Sequence, residues 1–278
     1  MNMAYKTQAG KSEVLKHYDS LFQYMTVSYE TVSVSTRLGD THIIIAGEKT
    51  APPFILLHGS SMNASMWIGD IAKYQESFRV YAPDMPGEPG KSDERQYPFT
   101  TADYSDWLMD VFDSVGIESA VVCGASLGAW LAAKFAIIHS ERISKLVLLC
   151  PAGIGSQHKG FIFTALFYMM MGDKGLTRLF EKINGGEPVP DVVVEYQKLI
   201  GKHFNSRKEP IPIFTDDELR RLTMPSMVIV GGKDVILKSH ETAQRYKSLV
   251  PDAKVEMLSE AGHSLPNCVG KIMNFLLP

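Results

Sequence analysis

Residues 120–138 read AVVCGASLGAWLAAKFAII, and the fold turns on this stretch. Ala120–Cys123 is a short apolar run without alternation, the pattern of a strand covered on both faces, as in a parallel sheet. From Leu127 onward the pattern changes, and Leu131, Ala132 and Phe135 are spaced for one face of a helix. Between the two lies Gly124-Ala125-Ser126-Leu127-Gly128, a G-x-S-x-G in a strand–turn–helix setting. The requirement is steric: a residue on so sharp a turn has strained dihedrals, and only small neighbours fit beside it. Such a turn lifts the Ser126 hydroxyl clear of the sheet and aims the next N–H at the space above it. Taken alone, the pentapeptide also suits a plain glycine-rich turn.

Outward from this stretch, runs of the same kind recur at Phe54–Leu57, Phe78–Ala82, Lys145–Cys150, Ser226–Val230 and Lys254–Leu258. Between two of them, Tyr104, Trp107, Leu108, Val111, Phe112 and Val115 fall at helical spacing. Asp103, Asp106, Asp110 and Asp113 lie on the other side of that helix and read as a solvated face, not a metal site. Thr31–Thr36 and Thr41–Ala46, joined through Leu38-Gly39-Asp40, carry a hairpin signal. The expected class is therefore α/β, with a mostly parallel central sheet flanked by helices. The alternation stops between Ala152 and Leu222, where three or four helix-like pieces are broken by Gly172, Gly175, Gly185-Gly186, Pro188, Pro190 and Pro210. Thr215-Asp216-Asp217-Glu218 reads as a capping box that starts a helix at Asp216. The expected organisation is an N-terminal helical extension at 1–29, a core of 30–151 and 223–278, and a helical cap at 152–222. Within the extension, residues 11–25 predict an amphipathic helix capped by Ser12.

Composition narrows the function classes. Of 278 residues, 45% are apolar and 21% charged, which excludes disordered and collagen-like chains. The net charge of −3 leaves no electrostatic footprint for nucleic acid or an anionic membrane. Three cysteines, at 123, 150 and 268, form no disulfide framework and fit a reducing compartment. The opening MNMAYKTQAGKSEVLKHYD lacks the apolar core of a secretory signal. The longest apolar stretch, Phe161–Met171, falls short of the roughly 20 residues that span a bilayer. A cytoplasmic protein without a membrane span is expected.

A serine nucleophile needs a base, and the base needs an orienting carboxylate. Val228-Ile229-Val230-Gly231-Gly232-Lys233-Asp234 puts Asp234 just past a strand end. Leu258-Ser259-Glu260-Ala261-Gly262-His263 puts His263 just past the last one. Ser126, Asp234 and His263 thus all lie beyond the carboxyl ends of parallel strands, where open α/β sheets bind ligands. His58 ends the run Phe54–Leu57 and opens His58-Gly59-Ser60-Ser61. It reads as a loop-shaping residue, and the Ser60 N–H joins that of Leu127 as an oxyanion hole. His17, His42, His139, His158, His203 and His240 have no glycine turn beside them and read as surface or packing residues. Cys123 lies inside a strand and reads as a buried small hydrophobe, and Trp67 as a packing residue. No His, Cys or carboxylate pair has metal-ligand spacing, and no cofactor is called for. GEPGKS at 87–92 looks like a phosphate loop but is too short, so it reads as a turn. In the cap, Phe161, Phe163, Phe167, Tyr168 and Met169–Met171 suit either an acyl pocket or the cap's own core.

With these residues in hand, the chain resembles the α/β-hydrolase superfamily over roughly Thr31 to Leu277. The resemblance is carried by HGSSMNASMW at 58–67, DMPGEPGKS at 84–92, GASLGA at 124–129, GGKD at 231–234 and AGH at 261–263. It is strongest to bacterial carboxylesterase-like members whose helical cap follows the sixth strand. The turn at Asp84–Ser92 is one residue longer than the family's usual pattern, and Ala129 stands where a second glycine is frequent. The resemblance implies Ser126 as nucleophile, His263 as general base, Asp234 as its orienter, and Ser60 and Leu127 as oxyanion donors. The expected activity is hydrolysis of a small-molecule carboxylic ester through an acyl-Ser126 intermediate. C–C bond hydrolysis, acyl transfer and perhydrolysis use the same triad and stay open. A non-catalytic binder or sensor is disfavoured, because such a protein has no need of all three groups.

Overall fold

The structure, a computed structural model, describes residues 2–277. Its central sheet has eight strands: β1 (Tyr29–Thr36), β2 (Gly39–Ala46), β3 (Pro53–Leu57), β4 (Arg79–Pro83), β5 (Ala120–Ala125), β6 (Ile143–Leu149), β7 (Ser226–Gly231) and β8 (Lys254–Leu258). Their order across the sheet is β8-β7-β6-β5-β3-β4-β2-β1. β1 and β2 form the expected hairpin and β2 runs antiparallel to β4, while every pairing from β4 through β3 to β8 is parallel. Among the described residues ten α-helices accompany these strands: α1 (Gln8–Leu21), α2 (Ile68–Tyr74), α3 (Asp103–Ser114), α4 (Leu127–Ile138), α5 (Phe161–Met170), α6 (Gly172–Ile183), α7 (Asp191–His203), α8 (Asp216–Arg220), α9 (Ser239–Leu249) and α10 (Val269–Leu276).

The unalternating runs of the sequence have their cause in this layering. Along β3, Ile55 and Leu57 enter the core beneath α3 and α4, while Phe54 and Leu56 enter the core beneath α2 and α10. Both faces of the strand are dry, so both sets of side chains are apolar. Each such side chain contributes about 1.5–3 kcal/mol by leaving water. The acidic side of α3 is tied down by ion pairs: Arg37 reaches Asp106 at 2.9 Å and Asp110 at 2.8 Å, and Arg142 reaches Asp113 at 2.8 Å.

The N-terminal helix begins earlier than the sequence pattern predicts. Thr7, not Ser12, caps α1 by accepting the Gly10 N–H, and the Ser12 hydroxyl donates to the Gln8 carbonyl inside the helix. The last turn tightens into a 3-10 segment at Phe22–Tyr24. A threonine on extended backbone before the first turn satisfies an orphan N–H as well as a serine does, and the polar start QAGK hid the boundary. Val14 and Tyr18 are fully buried, and Ala4, Tyr5 and Val14 pack with Tyr196, Ile200 and Phe204 from α7 and its end.

The excursion α5–α8 leaves the sheet after β6, the sixth strand in chain order, and returns at β7. Thr215 caps α8 with the reciprocal Glu218 bond that the sequence predicts. The apolar helix α5 does not form a closed core of the excursion. None of its residues is buried, and Phe163 and Met170 are 75% and 87% exposed.

Candidate active site

Ser126 sits between β5 and α4 with φ 53° and ψ −108°. A non-glycine residue held there costs about 1–3 kcal/mol and persists only when its surroundings over-determine it. They do: the Ser126 N–H donates to Leu149, and its carbonyl accepts from Trp130 and Ala152. The flanking glycines are steric necessities. A Cβ on Gly124 would stand 2.2 Å from the Gly128 carbonyl oxygen, and one on Gly128 would stand 2.2 Å from that of Leu57. Gly128→Ala therefore has to push β3 and the loop after it away from the turn. We expect a loss of at least about 1–3 kcal/mol of stability and of most esterase activity, read by thermal melting and p-nitrophenyl ester turnover.

His263 reaches Ser126 from three strands away, across β7 and β6. Its loop crosses the end of β7 at Gly231, where a Cβ would lie 1.8 Å from the Gly262 carbonyl oxygen. The His263 N–H donates to the Ile183 carbonyl at the end of α6, which ties the loop to the excursion. The ring's Nε2 lies 3.0 Å from Ser126 Oγ, and its Nδ1 lies 2.8 Å from Asp234 Oδ2. Asp234 Oδ1 accepts the N–H groups of Ile236 at 2.7 Å and Leu237 at 2.9 Å. Burial pushes the Asp234 carboxyl upward, but the bond and charge of His263 and the two N–H groups outweigh it, leaving the group below the usual carboxylate range. The three residues singled out in the sequence are thus brought into one hydrogen-bonded chain.

The oxyanion candidates flank this chain. A Cβ on Gly59 would lie 3.8 Å from Ser126 Cβ, so the His58-Gly59-Ser60 loop abuts the serine. The Ser60 N–H has no hydrogen-bond partner among the described residues. The Leu127 N–H is one of the first-turn donors that an α-helix leaves unpaired. His58 is fully buried, with Nδ1 2.9 Å from the Gly59 carbonyl and Nε2 accepting the Met85 N–H at 2.9 Å. Burial favours the neutral imidazole, and its nitrogens tie the loop, through Gly59, to the turn after β4, through Met85. A structural role for His58 follows from this geometry. Beside the site, an open groove of about 490 Å³ runs between Asn184, Glu187 and the Leu258–Ala261 segment.

The chain matches the alpha/beta hydrolase family over residues 54–267. It belongs to that family. An uncharacterized carboxylesterase of Bacillus subtilis (strain 168) is 32% identical to it over 263 residues, covering 89% of this chain and 85% of the relative. The crystal structure of carboxylesterase CesB (YbfK) from Bacillus subtilis superposes with a TM-score of 0.87 at 30% identity, covering 97% and 99% of the two chains. That of naproxen esterase from the same organism gives 0.85 at 29% identity, covering 98% and 99%.

Other groups near the site in this alpha/beta hydrolase do different work. Cys150, at φ 41° just past β6, offers a sulfur within 4.8 Å of the ligand atoms of Asp234 and His263. A metal needs a thiolate, whereas burial pushes this thiol far up, and both Asp234 oxygens are already engaged. The cluster therefore fits the Asp–His pair better than an ion. Cys123 is fully buried, and burial raises its thiol as well. Among residues that sequence reasoning passed over, Asp84 is fully buried and accepts from Tyr18, Ala64, Lys91 and His42. Glu88, in the turn dismissed as a false phosphate loop, is buried against Arg207. No local motif announces that pairing, because its two residues meet only after the excursion returns to the core. Among the described residues no helix is long and apolar enough to cross a membrane.

Proposed function

We propose that this chain hydrolyses small-molecule carboxylic esters through an acyl-Ser126 intermediate. The observation that carries the reading is the Oγ–imidazole–carboxylate chain of 3.0 Å and 2.8 Å, anchored on the strained turn at Ser126. His263 Nε2 takes the hydroxyl proton as Oγ attacks the acyl carbon. Asp234, ionised and held by two N–H groups, keeps Nδ1 protonated and stabilises the imidazolium that forms. The tetrahedral oxyanion settles between the N–H groups of Ser60 and Leu127. His263 then passes its proton to the leaving alkoxide, which departs as an alcohol. Water, activated by the same imidazole, cleaves the acyl-enzyme and regenerates Ser126.

The relatives named carboxylesterase support an ester substrate over the other bonds that such a triad cleaves. Residues 152–222 act in this reading as a cap whose α6 and α7 brace the site. The three free, buried cysteines support a reducing, cytoplasmic setting. The test is a panel of p-nitrophenyl esters and vinylogous C–C substrates compared by kcat/KM. Esters are expected to exceed C–C substrates by at least about 100-fold, since discrimination by bond type is a difference in transition-state binding. A preference for the C–C set, or no turnover of either, overturns the reading.

A further inference from the structure

The loop that carries Ser60 is held from outside by one buried carboxylate. Glu88 is 2% exposed, and its Oε2 accepts the Ser61 N–H at 2.6 Å. Its Oε1 accepts from Arg207 Nε at 3.0 Å, and both side chains are almost fully covered. Arg207 lies on the segment that returns from α7 to the core. It also donates to the Tyr97 carbonyl at 2.7 Å and to the Tyr104 hydroxyl, and its guanidinium lies over the Phe99 ring at 4.6 Å. Ser61 itself is left-handed, at φ 58°. The excursion grips it twice more: the Tyr196 hydroxyl donates to its carbonyl at 3.1 Å, and its hydroxyl donates to Ser206 Oγ at 3.3 Å.

A strained residue immediately after Ser60 keeps its conformation only if its peptide groups are pinned. Among the described residues the Ser61 N–H has one partner, a buried carboxyl that burial pushes up to about 7 while Arg207 and the Ser61 N–H itself favour its ionised form. In its ionised form this acceptor makes a hydrogen bond roughly twice as strong as a neutral one would. An unpaired carboxylate so near a developing oxyanion would repel it, and Arg207 removes that cost. We infer that Glu88 is a positioning residue for ester hydrolysis: it aims the Ser60 N–H at the oxyanion by holding the Ser61 N–H, with Arg207 cancelling its charge.

This inference rests on the acyl-Ser126 reading, so wild-type turnover of p-nitrophenyl butyrate is measured first. Its absence would sink that reading and not this one alone. Two double variants then differ only in the acceptor offered to Ser61. Glu88→Ala with Arg207→Met removes acceptor and cation together, leaving no buried charge unpaired. Glu88→Gln with Arg207→Met restores a neutral acceptor of the same shape. Deleting an oxyanion donor outright costs about 10²–10³ in kcat, so displacing one is expected to cost about 10-fold or more in the alanine double variant, with KM within about 3-fold. The glutamine double variant is expected to regain most of that kcat. Equal kcat in the two, or a change confined to KM, overturns the inference. Should the alanine double variant not fold, Glu88→Asp carries the test, because it keeps the ion pair but draws the acceptor away from Ser61. A kcat unchanged from wild type in that variant likewise overturns the inference.

Discussion

Ser126→Ala is expected to cut p-nitrophenyl ester turnover by on the order of 10⁵–10⁶-fold and to abolish labelling by a fluorophosphonate. The loss is that large because the hydroxyl is the nucleophile that the imidazole of the chain Ser126–His263–Asp234 is placed to activate. With it gone, the imidazole and carboxylate have nothing to activate but water. The fold should hardly notice. Alanine keeps the Cβ, so it inherits the same strained φ of 53°, and the backbone bonds from Leu149, Trp130 and Ala152 do not involve the hydroxyl. The variant should therefore melt within about 1 kcal/mol of wild type, while Ser126→Gly, freed of the left-handed penalty, should melt higher. Fluorophosphonate labelling that survives in Ser126→Ala would mean that another nucleophile is at work, and the serine assignment would fall.

Much of this arrangement could be read from residue order because it rests on local rules. A strand that ends at Ala125 and a helix that starts two residues later leave one geometry for the serine between them, and Gly124 and Gly128 show why: a Cβ on either collides with backbone. Asp234 and His263 were legible because each lies a few residues past the end of a parallel strand, buried β7 and the half-buried edge strand β8, so the sheet itself delivers both to its carboxyl end. What stayed hidden depends on long-range closure. Nothing near Glu88 signals that Arg207 will cover it, and nothing in HGSS signals that Tyr196 and Ser206 will grip Ser61. The α1 boundary differs for a smaller reason, since Thr7 and Ser12 are both competent cap residues, and it is Thr7 that accepts the Gly10 N–H where Gly10 packs against His203. Helix α5 misled in the opposite direction. Its composition is that of a core element, yet the excursion leaves Ile162, Phe163, Phe167 and Met170 exposed.

The second large effect is expected from Asp234→Asn, about a 10⁴-fold fall in kcat with little loss of stability, the size seen for the equivalent change in the serine-protease triad. The direction follows from which oxygen is spoken for. Oδ1 accepts two backbone N–H groups, from Ile236 and Leu237, so an asparagine must place its carbonyl oxygen there to keep both bonds. Its NH₂ then occupies the Oδ2 position and faces His263 Nδ1 at 2.8 Å. Two donors cannot share that contact, so Nδ1 gives up its proton and Nε2 takes it. The imidazole now points an N–H at Ser126 Oγ, 3.0 Å away, where catalysis requires a lone pair. The base is present, correctly placed and in the wrong tautomer. Asp234→Ala separates this from a loss of architecture. It frees the imidazole to adopt either tautomer but strips the Ile236 and Leu237 N–H groups of their acceptor, so it should melt lower than Asp234→Asn by about 1–3 kcal/mol. A thermal melt and a kcat measurement on both variants check the pair of outcomes. If Asp234→Asn retained kcat within about 10-fold of wild type, the carboxylate would not be setting the tautomer, and its bond to His263 would be packing alone.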